Sequence, residues 1–200
     1  MAQYALLLTC STGGSVTENE GVFDTVQWVS ATQNSCPDPN TASLQVNSGG
    51  ANPANADQVT FAVQVKDGNG TVQTGWLNWV IVMVTAATAP GNRGDRNANN
   101  NSPFRIGGGS KPNTVLLANS TGAGGTLTFT AFNGSGTPTT GGPYQGFPYM
   151  PVVRDVAPGA SSPNRSVSQY EAVVVASVTD ASGNLWQFGF DPEVDVNNNN

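Results

Sequence analysis

The sequence predicts an all-β fold, and three observations predict it. Apolar residues recur with a period of two rather than 3.6, as in Val59, Phe61, Val63 and Val65 against Gln58, Thr60, Ala62 and Gln64. The alternating runs are punctuated by Gly, Pro, Asn and Asp, which supply turns, and the chain holds 24 Gly and 13 Pro in 200 residues. Helical periodicity is nearly absent. Several short strands separated by Gly-rich turns read as a sandwich.

The elements follow in order. Residues 3–9 form a first apolar strand, and weaker strand signals cover 23–31 and 42–47. Residues 57–66 are a half-buried strand, closed by the turn Asp67-Gly68-Asn69-Gly70, whose glycines allow positive φ. From Trp76 to Val84 both faces are apolar, with Leu77, Trp79, Ile81 and Met83 on one and Val80, Val82 and Val84 on the other. Such a strand is covered on two sides or pressed against a neighbouring subunit. Residues 125–132 alternate again. The final hairpin runs from Tyr170 to Thr179, turns through Asp180–Asn184 and returns over Leu185–Phe190 with the stripe Trp186, Phe188, Phe190. Residues 89–113 and 133–169 are long, irregular and rich in Gly, Pro and Asn, so a partner or a function must order them. Pro37 and Pro39 mark residues 32–41 as a linker, which divides the chain into an N-terminal docking segment with its linker, 1–41, and a sandwich, 42–200.

Composition excludes several function classes. The chain has no His, which removes imidazole metal sites, Ser-His-Asp and Cys-His catalysis, and a histidine pH switch. Seven Lys and Arg against thirteen Asp and Glu give a net charge of −6, so no basic patch is expected for nucleic acid. No apolar run approaches the roughly 18 residues of a membrane-spanning helix. The opening MAQYALLLTC lacks the basic n-region and long apolar stretch of a secretion signal, so synthesis without N-terminal export is expected. Cys10 and Cys36 read as buried reduced thiols, with a disulfide between them left open.

Candidate sites are few. Arg93-Gly94-Asp95 is an integrin-type tripeptide in a Gly- and Asn-rich loop, read as an ordinary solvated loop. Asp191, Glu193 and Asp195 would share one face of an extended segment and could offer oxygens to Ca²⁺, but read as a solvated acidic tail. Trp76, Trp79 and Trp186 could stack on sugar, but their strand positions favour packing. No nucleophile has a visible base and no acid pair is selected, so no catalytic, cofactor or metal residue is assigned.

Residues 42–75 resemble the bacterial immunoglobulin-like domains of invasin and intimin type, in Ala54 to Asp57, Val59, Val63, Val65, Asp67 and Gly70. Asn119–Phe132 and Val178–Asn184 echo later turns of the same domains. The resemblance implies an immunoglobulin-like β-sandwich with an N-terminal β segment and long ordered loops; the runner-up is a viral jelly roll. Lacking an export signal and a series of modules, the chain is similar to the tailed-phage virion proteins that carry such domains. That implies a non-enzymatic structural protein of a bacteriophage particle, first a capsid decoration or cement protein, homo-oligomeric and bound to the major capsid protein or other virion proteins. It would be made in the host cytoplasm and located in the virion. Head-fibre or tail components and a bacterial adhesin or carbohydrate-binding module are the alternatives. Phe23, Val26, Trp28, Val29, Trp76, Val80 and Val82 are the expected partner-docking residues.

Overall fold

A computed structural model describes residues 1–13, 20–32, 43–47, 55–86, 114–118, 129–152, 167–190 and 193–197. The described chain is all-β, in the order β1 (Gln3–Ser11), β2 (Glu20–Val22), β3 (Thr25–Ser30), β4 (Ser43–Asn47), β5 (Gln58–Lys66), β6 (Leu77–Ala86), β7 (Thr114–Ala118), β8 (Thr130–Phe132), β9 (Tyr144–Gly146), β10 (Met150–Pro151), β11 (Val167–Thr179), β12 (Leu185–Phe190) and β13 (Glu193–Asn197). It contains no α-helix among these residues, and none long and apolar enough to cross a membrane.

Two mixed sheets face each other, an arrangement consistent with a β-sandwich. The first has the order β3-β1-β5-β9-β8, with β10 also on β5. The second has β11 at its centre: β12 and β13 share one side of it, extended by β2 and β4, and β6 and β7 lie on the other. Parallel pairs occur at β1–β5, β12–β2 and β13–β4. Each needs a crossover rather than a tight hairpin. The core between the sheets takes Leu6, Leu8, Val59, Phe61, Val63 and Val65 from the first and Val80, Val82, Val174, Ala176, Val178 and Phe188 from the second. Trp28 of β3 packs edge-on against Phe61, ring centroids 6.0 Å apart.

Within the N-terminal region, β1 and β3 are strands of the first sheet and β2 is a strand of the second. β1 lies between β3 and β5, in register with β5 from Gln3↔Gln58 to Ser11↔Lys66. Its run of apolar residues suits this central position in the sheet. The linker region, residues 33–42, lies outside the described residues, as do 87–113 with Arg93-Gly94-Asp95, residues 119–128, 153–166, Cys36 and Asp191. Of Glu193 and Asp195 the structure gives only the backbone, in β13 beside β11 and β4.

The strand at 57–66 is not half-buried. Every interior residue of β5, including Thr60, Ala62 and Gln64, is buried, and β1 repeats the pattern. The cause is the segment 129–152, expected to be irregular from residue 133 on, which covers the outer face of the first sheet. Phe132, Tyr144 and Tyr149 pack with Ala5, Leu7, Val29 and Ala62 there. The Thr60 hydroxyl donates to the Phe147 carbonyl at 2.6 Å, so the buried polar group is satisfied. Gly146 permits the approach: a Cβ there would overlap the Phe61 carbonyl oxygen.

Candidate docking surface

The local structure of this chain repeats one turn three times. At Asp67, Asn133 and Asp180 the side-chain Oδ1 accepts from the main-chain N–H groups two and four residues on, at 2.9–3.0 Å. In each, the first residue's N–H donates to the carbonyl four on, and a glycine three on, at φ 81°, 77° or 83°, donates back to its carbonyl. The sequences DGNGT, NGSGT and DASGN share what this geometry needs: an Asx acceptor and a residue at home with positive φ. The carboxylates of the two Asp turns are fully engaged. Asp180 Oδ2 accepts from Trp186 Nε1 and Asn184 Nδ2, both at 3.0 Å, and the Trp186 bond is the largest cause holding its carboxyl down at about 2. Asp67 is also held below the ordinary range, first by the Thr71 N–H. Acids committed in this way hold turns together and are poorly suited to general-base work.

A buried carboxylate ties the two sheets. Asp57, 4% exposed, accepts from Ala2 N at 2.7 Å through Oδ1 and from Asn47 N at 2.9 Å through Oδ2. Its own N–H donates to the Asn47 carbonyl and its carbonyl accepts from Val152 N. The starts of β1 and β5, the end of β4 and the chain after β10 meet at this residue. Cys10 is a free, fully buried thiol whose ionisation burial pushes up to about 12, so it is no nucleophile.

The residues expected to dock on a partner are occupied within the chain. Phe23, Trp28, Val80 and Val82 lie in the core, and Val26 and Trp76 are partly buried against it. Val29 packs under the cover of the first sheet. For Val80 and Val82 the reason is the parity of β6, where alternation places them inward and Trp79 and Ile81 outward. Trp186, one of the three aromatics that might have stacked on sugar, is buried at 5% exposure and stacks on Phe188.

The surface left to consider is the outer face of the second sheet. Register sets Val22 beside Gly189, Gly189 beside Val175 and Val175 beside Ile81, an apolar row across β2, β12, β11 and β6. Trp79, Ile81, Val173 and Val175 are half-buried, whereas Val22 is 77% and Leu185 49% exposed. Across Leu185–Gly189, Val173–Thr179 and Asn78–Ile81 this face carries no charged residue. Asn78 Nδ2 donates to the hydroxyls of Ser177 and Thr179, which closes off polar groups at its edge. The sequence named β6 as two-faced but not which face looks out, and it did not find Val22, Leu185, Asp57 or the Asn133 turn. Among the described residues no group of three or more Cys, Asp and Glu is placed to hold a metal ion. Comparison with known proteins finds no matching family model, no matching curated protein and no matching solved structure.

Proposed function

We propose that this chain is a non-enzymatic structural protein of a bacteriophage particle, built on an immunoglobulin-like sandwich and decorating or cementing the capsid. The observation that carries this reading is the apolar row on the outer face of the second sheet, uncharged over Leu185–Gly189, Val173–Thr179 and Asn78–Ile81, with Val22 and Leu185 exposed on that face. An exposed apolar sheet face of this kind suits burial against another protein subunit. The major capsid protein or another virion protein would sit on it, and a second copy of the chain would be held at its rim. The immunoglobulin-like assignment rests on the resemblance of residues 42–75 and on the repeated Asx hairpins at Asp67 and Asp180.

The fate of the polar groups supports a passive role. Asp57, Asp67 and Asp180 are spent on backbone and side-chain donors, and the buried thiol is inert. A sugar-binding reading would need exposed aromatic platforms, and Trp186 is turned into the core. Quantitative mass spectrometry of purified virions tests the proposal. A stoichiometry near that of the major capsid protein supports decoration. A few tens of copies would move the chain to a head fibre or tail, and absence from particles ends the proposal.

A further inference from the structure

The three turns share their backbone geometry but not their first residue, and the exception carries a reactive dipeptide, Asn133-Gly134. Three donors converge on Asn133 Oδ1: Ser135 N at 3.0 Å, Thr137 N at 3.0 Å and the Ser135 hydroxyl at 2.8 Å. No described residue accepts from the Gly134 N–H or from the Asn133 side-chain amide. Gly134 is exposed, and no atom lies within 4 Å of where a Cβ would stand. A nitrogen without a described partner thus sits next to a carbonyl polarised by three donors, and nothing crowds the glycine that carries it. Donors on that oxygen stabilise the negative charge that develops when a nucleophile adds to Cγ.

We propose that Asn133 is a self-modification site, at which the chain hydrolyses its own side-chain amide to aspartate through a cyclic imide. The Gly134 nitrogen loses its proton to solvent and bonds to Asn133 Cγ. The Cγ–Nδ2 bond breaks, and Nδ2 leaves as ammonia after taking up a proton. Water then adds at Cγ, the Cγ–N bond breaks, Gly134 N regains its proton and a carboxylate remains. One amide and one water become one carboxylate and one ammonium. The same donors that polarise Oδ1 direct the second water to Cγ, which yields aspartate. Opening at the main-chain carbonyl would give isoaspartate, adding a backbone atom to a turn held by Asn133 N to Thr137 O and Gly136 N to Asn133 O. The turn accepts the product, because Asp67 and Asp180 hold carboxylates in the same place.

The molecule contains its own control. Asn69-Gly70 has the same dipeptide in the Asp67 turn, but there Gly70 N is bound to the Asp67 carbonyl at 2.9 Å, and no described donor reaches the Asn69 amide oxygen. Peptide mapping of the incubated full chain, with fragmentation that separates aspartate from isoaspartate, tests the proposal. Asn133 should convert about tenfold faster than Asn69 and mainly to aspartate. Ser135→Ala, which removes one exposed hydroxyl, should slow Asn133 by about 2- to 10-fold and leave Asn69 alone. In concentrated urea, where the turn is lost, the two sites should convert at similar rates. Conversion at Asn69 that equals or exceeds Asn133 in the folded chain, mainly isoaspartate at 133, no effect of Ser135→Ala, or a preference for Asn133 that persists in urea would each overturn it.

Discussion

The first sheet is buried on both faces by its own chain, whereas the second buries one face and leaves the other half-open. Over β1 the buried set includes both Leu6 and Leu7, and over β5 both Phe61 and Ala62. Over β6 and β11 Leu77, Val80, Val82, Val174, Ala176 and Val178 are turned into the core, while Trp79, Ile81, Val173 and Val175 remain half-buried. The chain spends residues 129–152 on sealing the first sheet. The two sheets therefore have different relations to their surroundings. The sealed sheet is a stability device, and the half-open one is the face on which the proposed function places a partner.

The comparison can be broken first at the shared core. Phe61→Ala removes a fully buried ring that both sheets and Trp28 contact, and should cost about 3–5 kcal/mol in urea unfolding. Asp57→Ala should cost roughly 3 kcal/mol, since it strands the Ala2 and Asn47 N–H groups in a buried site. Loosened hydrogen exchange at the starts of β1 and β5 and the end of β4 together would identify the clamp. The cover alone is tested by Gly136→Ala. At φ 77° a side chain is strained, and its Cβ would stand 2.7 Å from the Ala5 Cβ and 2.9 Å from Val29 Cγ2. A loss of roughly 2 kcal/mol is expected, with exchange quickened in β8 and β9 and unchanged in β11.

Acid acts on the turns. Asp180 has its carboxyl lowered in the folded chain to about 2, against roughly 3.9 unfolded. Its stabilising contribution is complete above the unfolded value and is lost as pH falls through the folded one. Thermal stability of the wild type should therefore begin to fall near pH 4 and continue to about pH 2, and Asp180→Asn should flatten part of that slope. The smallest effect is expected on the open face: Leu185→Lys should change folding stability by no more than about 0.5 kcal/mol, because the side chain is already half exposed.

Much of this was legible in the sequence, and the misses have physical causes. β5, β11 and β12 follow from alternation between turn residues, and β1 and β6 from apolar runs of strand length. The inward side of β6 was not legible: Trp79 and Ile81 are as apolar as Val80 and Val82, so composition alone cannot orient a strand wanted on both faces. Residues 133–152 were missed because β9 and β10 are two or three residues long, too short to show a period. Their order comes from tertiary contacts such as the Tyr149 hydroxyl donating to the Gly136 carbonyl at 2.6 Å. One signal was present and could have been used, since NGSGT reads as DGNGT and DASGN with Asn for Asp. Asp57 left no signal, for its donors are main-chain groups far from it in sequence.

The difference between the sheets is tested most directly by hydroxyl-radical footprinting of the chain free in solution and bound to purified virions. The account predicts that Val22, Leu185, Trp79 and Ile81 lose reactivity on binding while Tyr144 and Tyr149 over the first sheet keep theirs. Protection confined to Tyr144 and Tyr149, or no protection of the second sheet's outer face, would contradict it.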